Sequence, residues 1–216
     1  MFRKGIICLL LFLGYQDCLR SQEQHTVVLS QADELVMMGK NVMYLEDTGN
    51  HLGVQQADSL YRQGKFSRHS KTVFTGPAST QSVWFRLAIK NLTGHEVWLD
   101  AGSSYAAWYI DFYRPDSNGR YSQPVLTGSL RPDINKEYPV NNYWLRLASA
   151  QDTAVKIYYL KILSGRTPEY ALEAGTLPAL HDHKTTSDYL TAGFVGLMIV
   201  MILYNFFLFT ATRDSI

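Results

Sequence analysis

Ser82-Val83-Trp84-Phe85-Arg86-Leu87-Ala88-Ile89-Lys90-Asn91 alternates from end to end. Val83, Phe85, Leu87 and Ile89 fall on one side of an extended chain; Trp84, Arg86, Ala88 and Lys90 fall on the other. Successive side chains of a strand point to opposite faces, so this period of two predicts a half-buried β-strand. The same pattern continues downstream. Asn91-Leu92-Thr93-Gly94-His95 turns the chain into a strand over 96–101, with Val97 and Leu99 inward. Residues 106–114 set Trp108, Ile110 and Phe112 against Tyr109, Asp111 and Tyr113, and Pro115-Asp116-Ser117-Asn118-Gly119 is a strong turn. Residues 143–149 alternate again, and 154–163 reads as the longest strand.

Upstream, Val27-Val28-Leu29 reads as an edge strand, and 42–47 as a strand ended by the turn cluster Asp47-Thr48-Gly49-Asn50. Val54, Ala57, Leu60 and Tyr61 have the spacing of a short amphipathic helix over 54–66, which Gly64 ends. Strands at this spacing, broken by Gly, Pro, Asn and Asp, predict a mainly β fold: an antiparallel jelly roll or β-sandwich.

Both ends of the chain are hydrophobic. Arg3 and Lys4 precede an apolar run that holds Ile6, Ile7 and residues 9–13, the pattern of a secretory signal too short to span a bilayer. Residues 189–212 contain no Asp, Glu, Lys or Arg, and a helix of that length crosses a membrane core. The expected organisation is a signal peptide over 1–21, an extracytoplasmic sandwich over 22–165 and a linker over 166–188 stiffened by Pro168 and Pro178. A transmembrane helix over 189–212 and a cytoplasmic stub over 213–216 complete it. In this order membrane lipid contacts 189–212, and the signal peptide delivers the β-rich middle outside.

Formal net charge is +1, which gives no sign of a nucleic-acid partner. Both cysteines, Cys8 and Cys18, precede the domain, so it holds neither a disulfide nor a thiolate metal site. The 14 Tyr, 10 Phe and 4 Trp suit a sheet core, and they equally suit a sugar-binding surface.

Motifs for catalysis are lacking: there is no Gly-rich phosphate loop, no G-x-S-x-G elbow and no H-E-x-x-H helix. His181-Asp182-His183 has too few further ligands for a metal site and reads as solvated. Asp100 and Asp111 are the carboxylates that a glycosidase would need on facing strands, and the sequence does not place them together. No enzyme and no cofactor is expected. Ligand binding is better served by polar and aromatic side chains opposite the core: Trp84, Arg86, Tyr109, Trp144 and Arg146. Rings stack on sugar faces and Arg forks donate to hydroxyls or carboxylates. The alternative is that a misread face turns the same five residues into packing.

Tyr44-Leu45-Glu46-Asp47, Val83-Trp84-Phe85-Arg86-Leu87, Trp98-Leu99-Asp100 and Asp111-Phe112-Tyr113 follow one another in an order that resembles a known family. So do Gly193-Phe194, Leu203-Tyr204-Asn205-Phe206-Phe207-Leu208-Phe209 and Arg213-Asp214 in the apolar helix. The chain resembles, over about 42–214, the bacterial seven-transmembrane receptors with diverse intracellular signalling modules, in their second extracellular type. The resemblance implies a sensor domain similar to carbohydrate-binding modules, placed in the periplasm on the inner membrane. It also implies a carbohydrate or other small-molecule ligand and a membrane or cytoplasmic signalling partner. One membrane helix stands where the family carries seven, and no output module follows. That departure implies either a truncated chain or a degenerate relative. A single-pass, membrane-tethered glycan-binding or adhesion protein is the alternative reading, and a scaffold subunit of an envelope complex a third.

Overall fold

The computed structural model describes residues 26–76, 81–103, 107–132, 135–165 and 169–213. The expected signal peptide over 1–21 lies outside them.

The alternating stretch is strand β6 (Ser82–Asn91). It is the longest strand at 10 residues, against 8 for β11 (Lys156–Leu163), which the sequence ranks first. β6 pairs antiparallel with β11 along one edge. Its other edge is shared end to end by two strands. β3 (Met43–Asp47) pairs antiparallel with residues 82–86, and β1 (Thr26–Leu29) pairs parallel with residues 88–91. With β4 (Ser67–Arg68), β8 (Tyr109–Tyr113) and β9 (Val125–Thr127) these make a seven-stranded sheet, ordered β4-β3-β6-β11-β8-β9 with β1 beside β6.

A second sheet of four strands has the order β10-β7-β13-β2, built from β10 (Asn142–Ala148), β7 (Val97–Ser103), β13 (Glu173–Thr176) and β2 (Leu35–Met37). β5 (Phe74–Thr75) and β12 (Glu169–Tyr170) form a small ladder of their own. The two larger sheets enclose one core. Phe85 and Leu87 of β6, Ile110 and Phe112 of β8, and Leu160 of β11 meet Leu99 of β7 and Leu145 of β10 there, and all are buried. Each such side chain contributes about 1.5–3 kcal/mol by leaving water.

β6 is buried on both faces rather than one. Trp84 belongs to a second apolar cluster on the outer face of the large sheet, capped by helix α1 (Val54–Arg62). The Gln56 carboxamide oxygen accepts from the Gly53 N–H at 2.9 Å to close the start of α1, and Gly64 at φ +72° turns the chain after it. Asn91 closes the β6–β7 turn. Its side chain, itself buried, donates to the carbonyls of His95 and Ser149 and accepts from Thr93.

The stretch read as a linker is built differently. Residues 169–170 and 173–176 are strands, and β13 is an interior member of the four-stranded sheet. Helix α2 (Leu177–Arg213) follows with no intervening loop. Pro178 sits in its first turn, where a missing N–H costs no hydrogen bond. The Thr176 hydroxyl accepts from the Ala179 N–H at 3.4 Å and donates to the Ala32 carbonyl. At 37 residues α2 is about 55 Å long. Its start packs on the outer face of the four-stranded sheet through Leu177 and Leu180. From 189 to 212 its side chains are exposed and overwhelmingly apolar, and Leu177–Thr212 is long and apolar enough to cross a membrane. Polar side chains along that length bond within the helix, as when Asn205 Nδ2 donates to the Met201 carbonyl at 2.8 Å.

Candidate functional site

Alternation aims the five sequence-selected side chains away from the core, yet the structure distributes them over both outer faces of the sandwich. Trp84 and Arg86 lie beneath α1. Trp84 stacks on Tyr113 with centroids 5.6 Å apart, and the Arg86 guanidinium lies over the Tyr61 ring of α1 at 3.8 Å. Neither is more than 5% exposed. Trp144 is on the opposite side, under the start of α2. Its indole N–H donates to Asp100 Oδ2 at 2.9 Å and its ring meets His181 edge-on at 4.8 Å. Arg146 is exposed on that same sheet, 3.7 Å from Glu96. Asp100 and Asp111 likewise belong to different sheets, so they do not face one another as a glycosidase pair. His181 and His183 are engaged as well as solvated, His181 with the Tyr138 hydroxyl at 2.8 Å and His183 with Glu173 at 3.0 Å.

Tyr109 stands apart, because it opens onto a cleft. Strand register builds the floor. Trp84, Lys161 and Asp111 form one cross-strand row on the outer face of the large sheet, and Ser82, Leu163 and Tyr109 form the next. α1 and the Tyr121 segment lie over the first row; in the second, Ser82 is buried, Leu163 is partly covered and Tyr109 is exposed. The turn at Asn50 supplies one wall and Arg131 the other, enclosing about 190 Å³.

The walls are charged and fixed. Arg131 pairs with Asp111 at 2.6 Å, donates to the Thr127 carbonyl at 3.1 Å and places its guanidinium 5.2 Å from the centre of the Tyr109 ring. Lys161 Nζ lies 3.2 Å from Asp47 Oδ2 and donates to the carbonyls of Asn50 and Leu52 at 3.0 and 3.2 Å. Burial alone would raise the Asp47 pKa. The Leu52 N–H at 3.0 Å, the Lys161 ammonium and the Trp84 indole outweigh it and hold the carboxyl below its ordinary value. Asp47 therefore stays ionised and keeps Lys161 in place.

The cleft thus offers one partly exposed aromatic face, two cations matched by two carboxylates, and the Ser82 hydroxyl. The Ser82 hydroxyl itself donates to Asp47 Oδ2 at 3.3 Å, and the set as a whole suits binding by stacking and hydrogen bonding. Sequence reasoning found Tyr109 by alternation but missed Asp47, Arg131 and Lys161. Lys161 had a usable signal, a charge between the inward Leu160 and Ile162 of one strand. Arg131 lies on a loop, where no periodicity applies.

A β-sandwich carried on a helix long and apolar enough to cross a bilayer defines the class: a membrane-anchored domain. The family model described as 7TMR-DISM extracellular 2 matches residues 39–173, and the chain belongs to that family. The domain is accordingly the extracellular part of a membrane receptor. No curated protein matches the chain.

Proposed function

We propose that the Tyr109 cleft is where this receptor domain senses its ligand, and that the ligand is a small polyhydroxylated molecule such as one carbohydrate unit. The observation that carries this reading is the open Tyr109 ring beside the Arg131–Asp111 and Lys161–Asp47 pairs. An aromatic face takes the C–H side of a sugar ring, while carboxylates and cations held in a network accept from and donate to its hydroxyls. Tyr109 carries the contact proposed for it from the sequence. Arg86, Trp84 and Trp144 support the sheet beneath and opposite. The membrane in this reading is the bacterial inner membrane, with the sandwich in the periplasm. A change at the sandwich reaches the bilayer through α2, which has no break in which to lose it.

The test is calorimetric titration of the full chain in nanodiscs with a panel of neutral mono- and oligosaccharides. At least one binds saturably, and Tyr109→Ala and Arg131→Gln each weaken it by tenfold or more. If no sugar binds, or if both variants bind as the parent does, the reading fails.

A further inference from the structure

A second cleft, of about 330 Å³, opens at the β4 edge of the large sheet and is lined by Lys40, Arg68, His69 and Ser70. We propose that it binds an oxyanion, a phosphate, sulfate or carboxylate group carried by a ligand distinct from that of the Tyr109 cleft.

Charge distribution along the chain leads to this site. Residues 59–95 include Arg62, Lys65, Arg68, Lys71, Arg86 and Lys90 but no Asp or Glu, although the whole chain balances 20 basic against 19 acidic residues. The fold neutralises part of this excess. Arg62 pairs with Asp58 at 2.7 Å, and Arg86 is buried against Tyr61. Among the described residues no carboxylate pairs with Lys40, Arg68 or Lys71. Like charges left facing one cleft repel each other, and an anion between them removes that cost.

The cleft is built rather than incidental. A Cβ on Gly39 would lie 1.9 Å from the Thr72 carbonyl oxygen, so glycine is what lets the 39–40 turn close onto the 68–72 segment. Arg68 Nε donates to the Lys40 carbonyl at 3.4 Å, tying the two cationic residues together. His69 is fixed by packing on Phe74, with ring centroids 4.9 Å apart, and by Nδ1 lying 2.9 Å from the Lys71 carbonyl. The residues lining the cleft carry a guanidinium, an ammonium, an imidazole and a hydroxyl, all potential donors to oxygen. The enclosed volume suits one anionic group or a small acidic molecule rather than an extended polyanion.

The full chain in nanodiscs of zwitterionic lipid is titrated with inorganic phosphate and, separately, with sulfate. Nanodiscs of anionic lipid form a second arm, read by hydrogen exchange of residues 38–41 and 68–72. A free anion as ligand gives saturable binding in the first arm, weakened tenfold or more in the Lys40→Gln, Arg68→Gln double variant and unchanged in Lys90→Gln. A lipid headgroup as ligand gives protection only in the second arm, lost in the same double variant. Absence of any effect in both arms, or an effect that survives the double variant, overturns the proposal. Should the double variant melt early, Lys40→Gln alone carries the readout, since only its exposed side chain is altered.

Discussion

Glu173 Oε2 lies 3.0 Å from His183 Nδ1, which joins the last strand of the sandwich to the second turn of the membrane helix. Glu173 is only 8% exposed, and its register partner on β7 is Asp100. Burial and the Asp100 charge push its pKa up while His183 opposes them. Replacing His183 by Ala leaves that carboxylate uncompensated and costs about 1–3 kcal/mol. Amides of 177–183 are expected to exchange faster in His183→Ala than in the parent chain. Equal protection in both would show that the pair does not dock α2.

Trp84 is 0% exposed beneath α1, so Trp84→Ala opens a cavity and costs about 3–5 kcal/mol. Chemical denaturation checks this. Trp84→Phe keeps most of the packing and is expected to bind ligand as the parent does, because the ring is buried under α1 in the row beside the Tyr109 cleft and does not line it. A Trp84→Phe chain that folds normally but loses binding would assign Trp84 a direct contact.

Acid acts in opposite directions at the two buried carboxyls. The folded-state pKa of Asp47 is depressed, so its contribution is full above the unfolded value and is lost as pH falls through the folded one. For Glu173 the folded-state pKa is raised; its contribution is present at low pH and is lost as pH rises through that value. Asp47→Asn should therefore destabilise by about 3 kcal/mol at neutral pH and progressively less in acid. Glu173→Gln should gain relative to the parent as pH rises. Melting temperatures of the three chains between pH about 3 and 7 decide it, and parallel curves would refute both assignments.

A Cβ at Gly165 would lie 1.7 Å from the Trp108 indole. Gly165→Ala must swing that ring aside, at about 1–3 kcal/mol. Trp108 directly precedes Tyr109, so sugar binding should weaken in the same variant and tryptophan emission should shift. Unchanged emission would mean that the indole is held elsewhere in solution.

β6 was legible to the residue because a period of two is a property of the strand itself. What covers a strand is not, since the helix over Trp84 and Arg86 comes from residues 54–62 and leaves no trace in 82–91. The outward side chains were therefore identified correctly as a set, while which of them reach solvent was decided by distant segments. β13 was missed for another reason. Glu173-Ala174-Gly175-Thr176 is short and made mostly of small residues, and it becomes a strand by fitting between β7 and β2. The apolar helix was plain from composition, but its first turns were not, because Leu177-Pro178-Ala179-Leu180 is cut off from the apolar run by the polar stretch 181–188 and is held by contact with the sheet.

An unbroken α2 gives the sandwich a fixed bearing on the bilayer. One residue added between the docked turns and the apolar stretch would swing the Tyr109 side of the domain about 100° around the helix axis and lift it about 1.5 Å. Seven would return it to within about 20° of its original azimuth, roughly 10 Å higher. The number of residues between Leu180 and Tyr189 is thus a setting of direction as much as of height, and it determines which way each cleft looks out from the cell.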